Sequence, residues 1–481
     1  MAKHITIPPI EPSTLVIFGI TGDLARRKLL PALYHLCKQS LLPEQFRIVG
    51  VSRRGITVPA LLKTLHDSLA ASGGRVDKSA LEALGRHIEL VQMDLLAPDE
   101  YVRLRKRLDD IETEMGMCMN RLFYLAVPSQ TFEPVVAQLG KGGLNKACPH
   151  GTGGARLLIE KPFGYNLASA KELITALGKH FSEEQIYRID HYLAKETAQN
   201  ILNFRFQNPI FRRVWDNSSI KSITITASES IDIEGRVAFY EQTGALRDFV
   251  QSHLLQLLAL VTMDEPSALT SAAIHRQKLA LLQDILPIAP NKVMGQTVRG
   301  QYKSYRREVD NQKSNVETYA AVRLRIDSQR WRNVPVVLKT GKALREKLAT
   351  IVLVFTDSGH LTGDNVLTIR IQPDEGISLQ LLAKKPGFTD EVEPVTMDFS
   401  YTSAFAGDDQ PDAYERVLMD AFRGDKTLFA TSDEVLTSWR ILENVIHEWE
   451  KNDEGLELYA KGSDGPNAIE RLMKMNGKQQ D

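Results

Sequence analysis

The 481-residue sequence predicts two domains: an α/β domain over residues 1–190, and an α+β domain over residues 191–481 with a large, mainly antiparallel sheet. Apolar, strand-like runs alternate with helical patterns as far as residue 190, as in a parallel sheet covered by helices. From residue 220 onward strand-like segments dominate, and few helical patterns lie between residues 317 and 400. This change favours antiparallel pairing. A chain of this length also exceeds what one hydrophobic core ordinarily supports.

The first strand-like run, TLVIFG (14–19), leads into a glycine turn and then a helical pattern. Gly19 and Gly22 lie in the turn, and Ala25 offers a third small residue where the helix must approach the strand. Strand, glycine turn and helix in this order predict a Rossmann-like, dinucleotide-binding domain. The turn has one glycine fewer than the usual fingerprint, so the pattern by itself is weak.

The second strand, FRIVGVSRR (46–54), ends in Arg53 and Arg54. Proteins that bind NAD usually carry Asp or Glu there, whereas a cation suits the additional 2′-phosphate of NADP. A charge-assisted contact of this kind contributes about 1.5–3 kcal/mol, which is about tenfold or more in selectivity. The alternative is a solvated arginine at a strand end. Thr21 could donate its hydroxyl to the same phosphate.

Two further strand ends of the first domain carry candidate ligand-binding residues. A strand over 87–93 is followed by Asp94 and Leu95, and the strand RLLIEKPFG (156–164) contains Lys161 near its end. Parallel sheets of this kind bind ligands at the carboxyl ends of their strands. We therefore expect Lys161 to lie where cofactor and substrate meet.

The segment YRIDHYLAKETAQN (187–200) concentrates polar groups where a strand is expected to give way to a helix. Asp190 is a candidate N-cap, and His191 and Lys195, four positions apart, would share one helix face. Amide donors, a lysine and a histidine at a helix start make an anion site, and phosphate is the obvious anion. A capped surface helix with a polar pair is about equally compatible with this spacing.

The string RIDHYLAKE (188–196) resembles the active-site signature of the glucose-6-phosphate dehydrogenase family, with Ala194 in place of a usual Gly. GITGDLA (19–25) and RDFVQSHLLQ (247–256) resemble two other segments of that family, and the resemblance extends to residue 466. It implies oxidation of D-glucose 6-phosphate to 6-phospho-D-glucono-1,5-lactone with hydride transfer to NADP, the first step of the oxidative pentose phosphate pathway. It also implies a homodimer or homotetramer built on the large sheet.

The resemblance also implies roles for individual residues. His253 matches the base that removes the proton from the sugar 1-hydroxyl, and Asp190 matches the carboxylate that orients it, although a lone histidine on an apolar helix face is more often a core residue. No metal is implied, since NADP itself accepts the hydride. The predicted substrate-binding residues are Lys161, His191, Tyr192, Lys195, Glu229, Asp248, Lys342 and Lys347. The predicted cofactor-binding residues are Gly19, Thr21, Gly22, Asp23, Leu24, Arg53, Asp94, Leu95 and Lys161.

Composition narrows the class of protein. A formal net charge of −1 argues against dominant electrostatic binding to nucleic acid or to an anionic membrane. The first ten residues lack an apolar signal core, and no run approaches the roughly 20 apolar residues of a membrane span. The cysteines, Cys37, Cys118 and Cys148, are scattered, which predicts three separate thiols in a reducing compartment. We therefore expect a cytoplasmic protein.

Two other functions remain open from the sequence. The first is another NADP-dependent sugar or imine oxidoreductase, since a strand ending in Glu-Lys-Pro also occurs in that class. The second is an NADPH-binding regulatory protein whose catalysis has decayed.

Overall fold

The computed structural model describes residues 10–71, 73, 75–146, 148, 153–356, 363–405 and 410–474. The expectation of a cytoplasmic protein used the first ten residues of the sequence. Nine of these ten lie outside the described ranges. The chain packs into two compact units. The first comprises the described residues as far as Phe163, with Lys171–Ala194 and Pro411–Ser432; the second comprises Gly164–Ala170, the described residues from Lys195 to Gln410, and those from Asp433 onward. The division predicted between residues 190 and 191 stays a prediction.

The strands among the described residues are, in chain order, β1 (Ser13–Phe18), β2 (Phe46–Ser52), β3 (Ile88–Gln92), β4 (Asn120–Leu125), β5 (Ala155–Ile159), β6 (Ile186–Ile189), β7 (Ile220–Ser228), β8 (Ile285–Leu286), β9 (Thr297–Tyr302), β10 (Tyr319–Ile326), β11 (Val336–Gly341), β12 (Leu348–Phe355), β13 (Val366–Gln372), β14 (Gly376–Lys384), β15 (Val392–Ser400), β16 (Phe429–Ala430) and β17 (Leu456–Tyr459).

The α-helices are α1 (Leu30–Lys38), α2 (Val58–Ala71), α3 (Lys78–Arg86), α4 (Pro98–Met115), α5 (Phe132–Lys141), α6 (Leu167–Gly178), α7 (Glu196–Gln207), α8 (Pro209–Arg212), α9 (Val237–Ala245), α10 (Leu255–Thr262), α11 (Ser271–Asp284), α12 (Val293–Gln296), α13 (Tyr305–Glu308), α14 (Tyr401–Ala404), α15 (Ala413–Arg423), α16 (Ser432–Lys451) and α17 (Ala468–Lys474). Two π-helical segments, Ala25–Leu29 and Leu246–Leu254, precede α1 and α10.

The first unit is built on a sheet in the order β16-β6-β5-β4-β1-β2-β3. Strands β1 to β6 are parallel, and β16 is antiparallel to β6. Every residue of β1 and of β4 is buried, as expected of strands covered on both faces. The order 3-2-1-4-5-6 within this sheet is that of a dinucleotide-binding fold. The predicted Rossmann-like architecture is therefore confirmed.

The second unit is built on a sheet in the order β15-β14-β13-β12-β7-β11-β10-β9-β17, with β8 paired to β10. Its neighbouring strands run antiparallel except at two places, where β7 pairs with β11 and β9 pairs with β17. The prediction of a large, mainly antiparallel sheet is confirmed. Strand β15, at one edge, is exposed along most of its length.

The prediction that His191 and Lys195 share a helix face is wrong. Residues 191–194 form turns, and helix α7 begins only at Glu196, with Lys195 in the N-cap position. The Asp190 side chain accepts a hydrogen bond from the Tyr192 backbone amide at 3.0 Å. This local bond, typical of aspartate, closes a turn two residues onward and competes with the start of a helix.

The prediction of three separate thiols is also wrong, because Cys118 and Cys148 form a disulfide with 5.9 Å between their Cα atoms. Cys118 shortly precedes β4 and Cys148 precedes β5. Neighbouring parallel strands begin at the same sheet edge, which brings together two residues 30 positions apart. Cys37 is a free, half-buried thiol, and burial raises its pKa. Within the described ranges, no helix is both long and apolar enough to cross a membrane.

Candidate active site

The sheet of the first unit reverses its strand order between β1 and β4, where such folds bind nucleotides. Gly19 follows β1 with a φ of +85°. A Cβ atom at this position would lie 2.5 Å from the Ala126 carbonyl oxygen, beyond the end of β4. Only glycine fits both the backbone conformation and this close approach, so the turn leaves a cradle of backbone beside the crevice.

The turn after β1 leads directly into a helix start. The Gly22 amide donates to the Gly19 carbonyl at 2.8 Å, and the exposed Asp23 carboxylate accepts from Arg26 and pairs with Arg27. Ala25, the predicted third small residue, is fully buried. The helix starts here as a π-helical segment and continues as α1. Its first amides can therefore face a phosphate.

The end of β2 presents hydroxyl and cationic groups. The Thr21 hydroxyl lies 3.3 Å from the Ser52 hydroxyl, and Ser52 also accepts from the Arg54 amide at 3.1 Å. Arg53 is exposed, and its carbonyl accepts from Gln92 at 3.2 Å, which fixes its backbone. A glycine cradle, a helix start and an exposed cation at the end of the neighbouring strand fit a dinucleotide with a 2′-phosphate.

Asp94 and Leu95 follow β3 at the same sheet edge. Asp94 accepts from the Leu96 amide at 3.0 Å, and the Leu95 carbonyl accepts from the Tyr101 hydroxyl at 2.9 Å. These bonds hold the backbone of the turn, and the Asp94 side chain is exposed.

The end of β5 carries Glu160 and Lys161, because the strand ends at Ile159. Glu160 accepts from the Tyr124 hydroxyl at 2.6 Å and from the Tyr414 hydroxyl. Burial raises the pKa of Glu160 to about 7, with Asp190 acting in the same direction; both tyrosine hydroxyls and Lys161 act against it. Glu160 is therefore the centre of a small polar cluster beside predicted substrate residues.

The end of β6 contributes Asp190, His191 and Tyr192 to this cluster. Asp190 is 4% exposed and Tyr192 is buried. The His191 ring stacks on the Tyr414 ring, with 6.3 Å between centroids and 18° between planes. The Lys28 ammonium lies 5.8 Å from the Tyr414 ring centroid. The sheet thus groups an imidazole, two lysines and carboxylates within the first unit.

The predicted substrate residues of the second unit include one at the start of α7. The Lys195 ammonium lies 3.7 Å from Glu375. Lys195 is half-buried and lies in the N-cap position of α7, at the positive end of the helix dipole. This arrangement suits binding of an anion.

His253 and Asp248 lie in the π-helical segment Leu246–Leu254. The His253 side chain is fully buried, and its ring meets that of Phe249 edge to face at 5.4 Å between centroids. The amphipathic pattern of residues 244–261 predicts a single α-helix, and this prediction is wrong in its geometry. Gly244, at φ +57°, breaks the helix, and the Leu255 amide reaches the Val250 carbonyl five residues back.

Glu229, Asp248 and Lys342 lie around the buried ring of Tyr240. Lys342 forms an ion pair with Glu229, and its ammonium lies 5.6 Å from the Tyr240 centroid. Burial, followed by the charge of Asp248, raises the pKa of the Tyr240 hydroxyl well above its ordinary range. Lys347, just before β12, is exposed. Hydroxyl-accepting carboxylates and a buried ammonium are the groups that recognise a polyol.

Sequence reasoning assigned no role to Glu160, Tyr124, Tyr240 or Glu375. Glu160 could have been found from its position beside Lys161 at a strand end, but the others depend on long-range packing. Among the described residues, no group of three His, Cys, Asp or Glu side chains is arranged to hold a metal ion.

Comparison with known proteins covers nearly the whole chain. Residues 16–200 match the family model of the glucose-6-phosphate dehydrogenase NAD binding domain, and residues 202–480 match that of the C-terminal domain. A glucose-6-phosphate 1-dehydrogenase of Chlamydia muridarum is 38% identical over 98% of this chain and 97% of its own. A glucose-6-phosphate 1-dehydrogenase 2 of Mycobacterium bovis is 38% identical over 97% and 94%.

Solved structures agree with these relatives. A glucose-6-phosphate dehydrogenase in complex with its substrate glucose-6-phosphate superposes with a TM-score of 0.88 at 30% identity, covering 99% of this chain and 100% of the other. The enzyme from Mycobacterium avium gives 0.83 at 33% identity, covering 98% and 99%. Since both halves match along almost their entire length, the chain belongs to the glucose-6-phosphate dehydrogenase family.

Proposed function

We propose that this protein oxidises D-glucose 6-phosphate to 6-phospho-D-glucono-1,5-lactone with hydride transfer to NADP, the first step of the oxidative pentose phosphate pathway. The observation that carries the proposal is the 38% identity, over 98% of the chain, to an enzyme named glucose-6-phosphate 1-dehydrogenase. The glycine cradle at Gly19 and the exposed cation of Arg53 support the choice of NADP. NADP, when bound, accepts the hydride from carbon 1.

The chain's own residues supply the proton chemistry. In the proposal, the His253 imidazole removes the proton from the 1-hydroxyl, and the Asp190 carboxylate orients the ring and stabilises its charged form. Burial of His253 keeps competing water away from the ring. General base catalysis of this kind contributes about 10²–10⁴ in rate.

Substrate recognition divides between phosphate and sugar. The 6-phosphate and the neighbouring part of the sugar are bound by cationic or hydroxyl groups. These groups belong to Lys161, His191, Tyr192, Lys195 and Lys347. Glu229, Asp248 and Lys342, which lie around Tyr240, bind sugar hydroxyls. The strand ends that hold the nucleotide carry the remaining predicted cofactor-binding residues. These are Thr21, Gly22, Asp23, Leu24, Asp94 and Leu95.

Location and assembly belong to the same proposal. We expect a cytoplasmic homodimer or homotetramer formed through the large sheet. Strand β15 supports this, because Val395 and Met397 are 45% and 63% exposed on an edge strand, and exposed apolar edges favour pairing with another chain. Light scattering of the purified protein, with Met397→Glu as the variant, tests the assembly.

The experiment that tests the function is an absorbance assay of NADPH formation with glucose 6-phosphate and, separately, with glucose. We expect a strong preference for the phosphorylated sugar, since cations placed for a phosphate gain nothing from glucose. Comparable rates with both sugars would indicate a different sugar oxidoreductase, and NADPH binding without turnover would indicate a regulatory protein.

A further inference from the structure

A carboxylate from the large sheet contacts both the start of α7 and the lysine before it. Oε2 of Glu375 accepts from the backbone amide of Thr197 at 3.0 Å and from its hydroxyl at 3.1 Å. Oε1 of Glu375 lies 3.7 Å from Nζ of Lys195. The Thr197 amide belongs to the first turn of α7, where helical amides lack partners within the helix. One side chain therefore satisfies the helix and pairs with the lysine.

Glu375 itself is held by backbone contacts on both sides. It lies in the turn between β13 and β14, where Arg370 donates to the Asp374 carbonyl at 3.1 Å. The Tyr401 amide donates to the Glu375 carbonyl, also at 3.1 Å. The Glu375 side chain is 17% exposed and that of Lys195 is 27% exposed. The carboxylate is thus fixed to a sheet, whereas the lysine has a long, flexible stem.

We infer that Glu375 is a positioning residue that holds the Lys195 ammonium ready for the phosphate group of the substrate. The inference rests on the proposed function, in which Lys195 binds that phosphate. An ammonium has three donors, so a single carboxylate neighbour leaves donors for phosphate oxygens. Fixing the lysine before binding removes part of the conformational entropy that a free lysine would lose. Glu375 would therefore strengthen binding of a phosphorylated sugar without contacting it.

The test is a double-mutant cycle between Glu375→Gln and Lys195→Ala, with the dissociation constant of glucose 6-phosphate measured by calorimetry in the absence of NADP. Glutamine keeps an oxygen that can accept from Thr197 and removes only the charge that holds the lysine. We expect Glu375→Gln to weaken binding about three- to tenfold, and to have no further effect in the Lys195→Ala background. The kcat with glucose 6-phosphate should stay within about twofold, and kcat/KM for glucose should not change.

Two control variants separate positioning from helix capping and from general charge. Thr197→Val removes the hydroxyl bond to Glu375 and should lower the melting temperature without changing affinity for glucose 6-phosphate. Asp364→Asn removes the carboxylate of an exposed ion pair just before β13, 3.0 Å from Lys221, and should leave that affinity unchanged. Melting temperatures of all variants show that each has folded.

An unchanged dissociation constant in Glu375→Gln would overturn the inference. So would the same weakening in the presence and absence of the Lys195 side chain, since Glu375 would then act independently of it. Binding of glucose 6-phosphate by the unsubstituted protein without NADPH formation would refute the proposed function. The double-mutant cycle of dissociation constants would still test the role of Glu375. Absence of any binding would refute both.

Discussion

Burial of Glu160 should make the free energy of unfolding decrease as the pH rises, and replacing Glu160 by glutamine should abolish that decrease. Burial raises the pKa of Glu160 to about 7 from the ordinary 4.5, so the folded state binds this proton more tightly than the unfolded state. The stabilising contribution is present below about pH 4.5 and is lost as the pH rises through about 7. A pKa difference of this size corresponds to about 3 kcal/mol, a large part of the about 5–15 kcal/mol that stabilises a typical fold.

The groups facing Glu160 determine what the substitution changes. They are the Tyr124 and Tyr414 hydroxyls and the charges of Lys161 and Asp190. A glutamine oxygen can still accept from the tyrosines, so Glu160→Gln removes the titrating charge and little else. Most of the effect on the free energy of unfolding, about 2–3 kcal/mol, falls between pH 5 and pH 8.

The assay is urea denaturation of both proteins at several pH values across this interval. The stability of Glu160→Gln relative to the unsubstituted protein should rise by about 2–3 kcal/mol from pH 5 to pH 8. Glu172→Gln, a matched substitution at an exposed position on α6, controls for the amide itself. Parallel pH profiles for the unsubstituted protein and Glu160→Gln would refute the assignment of a raised pKa to this carboxyl.

Four further substitutions test the proposed roles. His253→Ala should lower kcat by about 10²–10⁴ while the calorimetric affinity for glucose 6-phosphate changes only a few-fold; equal losses in both would remove its role as base. Lys195→Ala should raise KM for glucose 6-phosphate by about tenfold or more with a smaller effect on kcat, which steady-state kinetics will show. Arg53→Ala should raise KM for NADP about tenfold and leave KM for NAD unchanged; a parallel rise for both would mean that Arg53 does not contact the 2′-phosphate. Gly19→Ala should abolish NADP binding in fluorescence titrations, because its Cβ would lie 2.5 Å from a carbonyl oxygen.

The parallel sheet could be predicted from sequence because its strands are buried on both faces. The runs LVIF (15–18) and LLI (157–159) are apolar without interruption, and the helices between the strands have their own periodicity. The strand ends follow from the same pattern, so Gly19, Arg53, Asp94 and Lys161 could be placed at one sheet edge. The side chains that contact these strand ends could not be predicted. The Tyr414 hydroxyl, for example, bonds to Glu160 from a position more than 250 residues later in the chain.

The turn at Asp190 shows where periodicity fails. The spacing of His191 and Lys195 fits a helix face, but a single aspartate side chain bonded to the Tyr192 amide delays the helix to Glu196. A local side-chain bond of this kind contributes about 1 kcal/mol, a difference that a pattern of residue types does not resolve. Both residues remain candidates for phosphate binding, but each now lies in a different compact unit.

The π-helical segment gives a physical reason for the five-residue spacing of Asp248 and His253. In an α-helix, residues five apart point about 140° away from each other. Hydrogen bonds from residue i to i+5 widen the turn, so that such residues lie on nearly the same face. The segment is held in this form at its start, where Glu317 accepts from the Leu246 amide at 2.9 Å, and Gly244 supplies the φ of +57° that lets the chain enter it. On this face the carboxylate and the imidazole can both serve the roles proposed for them, as a ligand of a sugar hydroxyl and as a base toward the same substrate, whereas an α-helix of this sequence would turn them about 140° apart.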